Sequence, residues 1–270
     1  VRFIQNWFEY RLMDVNSQVT VKGYQALLNT LSEGFKKQGG ALGSYVKNSE
    51  WGLRVKGKQE ELIALSNSYD YIDDIFLVDV HGNVLYSVKQ TRYFGTNIFN
   101  EVYEETIFSE LVKTSLKEGR TLFSDIARIR QANDESSLFL GAPLLSENSN
   151  NAGVIVIKVN LERIMSGLAA ANLGQHETHY LVGKDGLLRT TFDGNKKDIV
   201  VRSIQTKPFK EWERSYFSSK TDAITSVNEM AKLPFENSMN GVNEYLDPDG
   251  YEVFGLYHTV KIHNFEWLLI

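Results

Sequence analysis

Apolar residues at Ile4, Phe8, Leu12, Val15 and Val19 recur three and four positions apart, the spacing of one face of a helix. The pattern continues through Leu27, Leu28, Leu31 and Phe35 and stops at Gly39-Gly40, which predicts a long helix over 1–40. A second helix is predicted from near Trp51 to Ser68, with Leu62, Ile63 and Leu65 on its apolar side. The period then shortens. Ile75–Asp79 and Val84–Val88 are apolar runs on either side of His81-Gly82-Asn83, a hairpin signature. A helix over Tyr103–Lys117 should end at Gly119, and three strand-like runs follow at Thr121–Ile126, Leu138–Leu145 and Gly153–Val159. The polar stretch Ser146–Asn151 before the last of these reads as a loop.

The strand pattern then recurs. Phe76-Leu-Val-Asp-Val-His-Gly82-Asn-Val84 aligns without gaps to Tyr180-Leu-Val-Gly-Lys-Asp-Gly186-Leu-Leu188. Later, Phe139–Leu145 is loosely echoed by Phe254–Val260, and each copy is followed by a loop and a final apolar strand. Two matches in one order argue for two copies of an α+β unit, each an antiparallel sheet with helices on one face. Leu161–Ala171, carrying Ile164, Met165, Leu168 and Ala169, should bridge them as a helix. Both ends of the chain fall within patterned runs, so a piece of a longer chain is expected.

Composition narrows the functional classes. Of 270 residues, 42% are hydrophobic and 23% charged, enough apolar material for packed cores. A net charge of -5 disfavours nucleic acid, whose phosphates call for clustered Lys and Arg. The absence of cysteine removes thiolate nucleophiles and Cys-ligated metals. No apolar run approaches the ~20 residues of a membrane helix.

Several stretches together resemble a known family. They are Tyr69–Asp79 with Gly82–Ser87, Leu122–Ile126, Phe139–Pro143, Gly153–Val156, and above all Leu173–Arg189. These are similar to double Cache sensor domains, tandem PAS-like extracytoplasmic modules of bacterial receptors. The resemblance implies an N-terminal signalling helix over 1–40 and a membrane-distal module over 41–160. A connecting helix over 161–174 and a membrane-proximal module over 175–270 complete the expected order. It further implies flanking transmembrane helices outside this sequence, a periplasmic location, a small-molecule ligand and a cytoplasmic histidine kinase or diguanylate cyclase output, with a chemoreceptor as the alternative. No catalytic residue, metal or cofactor is expected in such a domain.

Most reactive-looking motifs have plainer readings. Gly52–Lys58 has much of the P-loop spacing, but Gln59 stands where magnesium needs Ser or Thr. His176 and His179, with His258 and His263 as distant additions, are most simply solvated. Asp247 and Asp249 belong to turn chemistry, while Asp70, Asp73 and Glu60-Glu61 read as a solvated face. Better candidates for ligand contact are Tyr86, Arg92, Tyr93, Asp125, Arg128 and Arg130. They offer phenol, guanidinium and carboxylate groups near the presumed sheet face. A zwitterion would need a cation such as Arg92 for its carboxylate and an anion such as Asp125 for its ammonium, within aromatic walls. Asp125 also matches the position where amino-acid-binding relatives hold the ligand ammonium, although Arg92 is followed by Tyr93-Phe94-Gly95 without the family's Trp. The stripe from Ile4 to Val19 fits either a homodimer seam or packing on the chain's own modules. Two rivals remain: an enzyme with facing carboxylates, and a structural ectodomain that answers to a protein partner.

Overall fold

The computed structural model describes residues 1–19, 22–100, 102–133, 135–145, 151–170, 179–191, 196–214 and 240–270. It divides into two compact units, Glu9–Ile164 and Val1–Phe8 with Met165–Ile270. The predicted N-terminal helix is present as α1 (Arg2–Val19) and α2 (Lys22–Gln38). Where one helix was expected after it, the chain forms α3 (Leu42–Tyr45), α4 (Ser49–Val55) and α5 (Gln59–Ser68). Asn48 starts α4 by accepting the Trp51 N–H at 2.7 Å, a side-chain cap that satisfies an otherwise orphaned donor.

The Glu9–Ile164 unit is built on a five-stranded antiparallel sheet. Its strands are β1 (Ile72–Asp79), β2 (Val84–Ser87), β3 (Leu122–Phe123), β6 (Phe139–Leu145) and β7 (Asn151–Val159), ordered β2-β1-β7-β6-β3. The single strand expected over 121–126 is shortened to β3, and between β3 and β6 lies a separate ribbon of β4 (Ala127–Ile129) and β5 (Glu135–Ser137) that was not expected. The strands read as continuous apolar runs because both faces are covered. On one face α6 (Ile107–Glu118) sends Phe108, Leu111 and Val112 against Phe76, Val78, Phe139, Val154 and Val156. Thr106 caps this helix at its start, and Gly119, at φ 64°, closes it at its end. On the other face lies α2, close enough that a Cβ on Gly153 would strike Leu28 at 2.6 Å. Helices therefore flank the sheet on both sides rather than on one.

The second unit carries a four-stranded sheet, ordered β8-β11-β10-β9, from β8 (Leu181–Val182), β9 (Asn240–Leu246), β10 (Glu252–Ile262) and β11 (Phe265–Leu269). Trp267 is fully buried, with the Phe8 ring edge-on at 5.5 Å. On the alternate positions Leu268 and Ile270 share a core with Phe209 and Trp212 of the helix at 207–214. α7 (Leu161–Ala170) occupies the predicted bridging stretch.

The internal repeat is real at the level of single hydrogen bonds. Asp79 N–H donates to Asn83 C=O at 3.1 Å, and its counterpart Gly183 donates to Leu187 at 2.9 Å. Gly82 and Gly186 take φ of 82° and 74°, a conformation that glycine adopts without strain. Ile98 then donates to Gly82 and Ile204 to Gly186, at 2.8 and 2.7 Å. The later echo holds too: β7 lies between β1 and β6 as β11 lies between β8 and β10.

Candidate functional site

The polar groups of the first unit gather where β1, β5 and β7 meet. Lys158 interrupts the apolar run of β7 and pairs across the sheet with Phe139 and Asp74. Alternation puts its side chain on the same face as Val156, the α6 side. Its ammonium is held by Asp73 at 3.0 Å and by Glu135 of β5 at 2.9 Å, and the side chain is only 9% exposed. Burial works against this charge, but the two carboxylates outweigh it and raise the lysine pKa. Burial likewise tends to raise Asp73, yet Lys89, at 2.6 Å, and Lys158 hold its carboxyl below the usual value. Asp73 is thus a half-buried member of a charge network, not part of a solvated face.

Asp74 beside it is fully buried. Its carboxylate accepts from Ser87 Oγ at 2.8 Å, Thr91 Oγ1 at 3.1 Å, and the N–H groups of Ile75 and Lys89 at 2.8 and 3.1 Å. Burial pushes its pKa upward despite these donors. The effect is to pin the segment after β2, which carries Arg92 and Tyr93.

Tyr93 is 2% exposed, with its ring edge-on to Phe76, Phe108 and Phe139 and tilted against Tyr103. Its hydroxyl is buried and has no hydrogen-bond partner among the described residues; Ser137 Oγ is in the same condition. Burial, then the neighbouring Tyr103 and Glu135, raises the Tyr93 pKa strongly. Arg92 is exposed beside Tyr103, whose pKa its charge works to lower against the larger effect of burial.

The other sequence candidates lie on different elements. Tyr86 points to the opposite face of the sheet. The β1–β2 register slips between Leu77 and Val78, so Tyr86 pairs with Leu77 and stacks on Trp51 at 6.3 Å, while Trp51 Nε1 donates to Leu85 C=O. Burial, with the Asp74 charge adding to it, pushes the Tyr86 pKa up to about 12. Asp125 is partly exposed and accepts the Ile126 N–H at 2.7 Å. On the ribbon, Ile129 and Ser137 are buried inward, and Arg128 alternates with Ile129. Arg130 is exposed in the 3₁₀ turn Arg130–Ala132. Sequence reasoning missed Lys158, Glu135 and Ser137, and underrated Asp73; the one local signal was a lysine inside an otherwise apolar strand.

The remaining motifs resolve simply. Gly52–Val55 of the P-loop-like stretch is helical, so Gly52 forms no phosphate-cradling loop. Among the described residues no group of three His, Asp or Glu is placed to hold a metal, and His176 lies outside them. Ile4, Phe8 and Val15 of the N-terminal stripe are buried in the chain's own packing, which is the second of the two expected fates. Among the described residues no helix is long and apolar enough to cross a membrane.

No protein-family profile and no curated protein sequence matches the chain. Its fold is nevertheless shared with solved sensor domains. The extracellular domain of mmHK1S-Z3, described as a histidine kinase, superposes with a TM-score of 0.54 at 12% identity, over 99% of this chain and 91% of that one. The ligand-binding domain of the Pseudomonas aeruginosa PAO1 amino acid chemoreceptor PctB, solved in complex with L-Arg, gives 0.51 at 11% identity over 99% and 87%. An extracellular ligand binding receptor from Desulfohalobium retbaense DSM5692 gives 0.50 at 12% identity over 92% of this chain; there the chain spans only 38% of the relative.

Proposed function

We propose that this chain is the extracytoplasmic ligand-sensing region of a bacterial membrane receptor. The Glu9–Ile164 unit binds a small molecule on the α6 face of its sheet, beside Lys158, Tyr93 and the β4–β5 ribbon. The bound state is passed through the second unit and flanking transmembrane helices to a cytoplasmic histidine kinase or diguanylate cyclase. The observation that carries the reading is a buried lysine, Lys158, held by two partly exposed carboxylates, together with the Tyr93 hydroxyl in its aromatic wall and Ser137 Oγ, both buried without a partner among the described residues. A purely structural core avoids such groups, because an unsatisfied buried hydroxyl costs about 1–3 kcal/mol. The shared fold with a domain solved holding an amino acid supports the ligand class in general terms.

In this reading Arg92, Tyr93 and Asp125 contact the ligand, joined by Arg128 of β4 and Arg130 of the turn that follows it; Tyr86, on the other face of the sheet, acts by fixing β2. The domain has no catalytic role of its own. A homodimer is part of the reading, through the outer side of α1, where Tyr10 and Met13 are 58% and 65% exposed. A chemoreceptor output is the nearest alternative, since the same fold serves both kinds of receptor.

The test is thermal unfolding of this chain against amino acids, short carboxylates, polyamines, purines and divalent metals. A ligand at a hundred times its Kd adds about 2.7 kcal/mol, a rise on the order of 5–10 °C for a unit of this size. A hit that is lost in Asp125→Ala or Arg92→Ala supports the sensor. A flat response across the library rejects small-molecule sensing in favour of a protein partner.

A further inference from the structure

We propose that the ligand of the first unit is a small organic carboxylate held by Lys158, and that Glu135 is its built-in competitor at that ammonium. This rests on the ligand-sensing reading above and names the chemistry it uses.

Lys158 is the buried cation on the α6 face, and it holds two carboxylates that are not equivalent. Asp73 sits in β1, inside the five-stranded sheet, is 33% exposed, and has a second cation in Lys89. Glu135 is 56% exposed and is carried by a ribbon of three residue pairs outside that sheet. An incoming carboxylate can replace Glu135 one anion for another, so the charge around Lys158 is unchanged and the ammonium is never left unpaired in the interior. Replacing Asp73 would break the sheet-side network and strand Lys89 as well.

What the newcomer gains, and Glu135 does not supply, is the pair of hydroxyls. Ser137 lies two residues along β5 from Glu135, hence on the same side of the ribbon, and is fully buried. Tyr93 packs edge-on against Phe139, the cross-strand neighbour of Lys158. Both hydroxyls lack partners among the described residues and can donate to a carboxylate whose second oxygen faces them. Phe76, Phe108 and Phe139 around Tyr93 suit an apolar body on the ligand rather than a second charge. The exchange is also the signal: Glu135 released from Lys158 frees the β4–β5 ribbon, so occupancy becomes ribbon displacement.

The experiment titrates propionate, benzoate and succinate into the chain by calorimetry, beside uncharged propionamide and benzamide, with hydrogen exchange followed over 127–137. A monocarboxylate should bind and its amide should not. Lys158→Met should abolish that binding, and Lys158→Arg, which keeps the charge, should retain part of it. Glu135→Gln should tighten binding about tenfold, the factor expected if the competitor holds the site nine-tenths of the time. Ribbon amides should exchange faster with ligand in the wild type, and already fast without it in Glu135→Gln. If an amine or purine from the wider library binds and Lys158→Met leaves it untouched, the sensor stands and the carboxylate assignment falls. Carboxylate binding that Glu135→Gln does not tighten removes the competitor, and a library with no hit at all removes the sensor reading itself. Circular dichroism melts of Lys158→Met and Lys158→Arg separate lost binding from lost fold.

Discussion

Replacing Tyr93 by Phe removes one oxygen and nothing else. The ring keeps its edge contacts with Phe76, Phe108 and Phe139 at 5.7, 5.0 and 6.1 Å. In the folded chain the hydroxyl is buried without a partner among the described residues, whereas in the unfolded chain it is hydrated. Leaving such a group unsatisfied costs about 1–3 kcal/mol, so Tyr93→Phe should stabilise the ligand-free protein by roughly 1–2 kcal/mol. At about 2–4 °C per kcal/mol the midpoint should rise by roughly 2–8 °C. Tyr45→Phe supplies the opposite sign. Tyr45 is equally buried, but its hydroxyl donates to Leu31 C=O at 2.8 Å, so the same deletion should cost about 1 kcal/mol. Differential scanning calorimetry of the two variants beside the wild type is the assay. A Tyr93→Phe midpoint that falls as far as that of Tyr45→Phe would refute the reasoning, because the hydroxyl would then be satisfied. The same substitution should weaken carboxylate binding, making this residue one that trades stability for recognition.

Three further outcomes are expected. Gly153→Ala should destabilise by more than about 3 kcal/mol, since φ is 151° and the new Cβ would lie 2.1 Å from Val78 C=O; Gly119→Ala, with φ 64° and open space around it, should cost only about 1 kcal/mol. Equal losses in urea titrations of the two would disprove the steric account. Asp74 has a folded pKa above its usual 3.8, so it takes up a proton on folding. Its contribution is therefore greatest below 3.8 and is lost as pH rises through the folded pKa; the stability of the wild type relative to Asp74→Asn should decline over that interval, and a flat difference would be contrary. Trp267→Ala should cost about 3–5 kcal/mol by emptying the space beside Phe8 and Phe265, read as a lowered melting midpoint with loss of near-ultraviolet dichroism. A midpoint within 1 °C of wild type would contradict that packing.

What the sequence discloses depends on how local the cause is. The hairpins at Gly82 and Gly186 were legible because one left-handed glycine fixes each turn. α6 was legible from its spacing and Gly119, with only its start misplaced, at Thr106 rather than Tyr103. Helices on both faces were hidden because a doubly buried strand carries no alternation to read. Tyr86 was assigned to the wrong side of the sheet for a related reason: the extra residue Leu85 in β2 reverses which side chains face α6, and nothing in Val84–Ser87 marks it. The charge cluster was the least accessible. Asp73, Glu135 and Lys158 are brought together by strand order and by a ribbon outside the sheet, neither of which is encoded near any one of them.

The place of β11 in its sheet has a mechanical consequence. This strand is bonded on one side to β10 and on the other to β8. To slide by one residue it would have to break both ladders and turn Trp267 out of its packing while turning Glu266 in. A tug along the chain at Leu269 is therefore resisted in shear by every bond at once, and the strand can move only as its whole sheet moves.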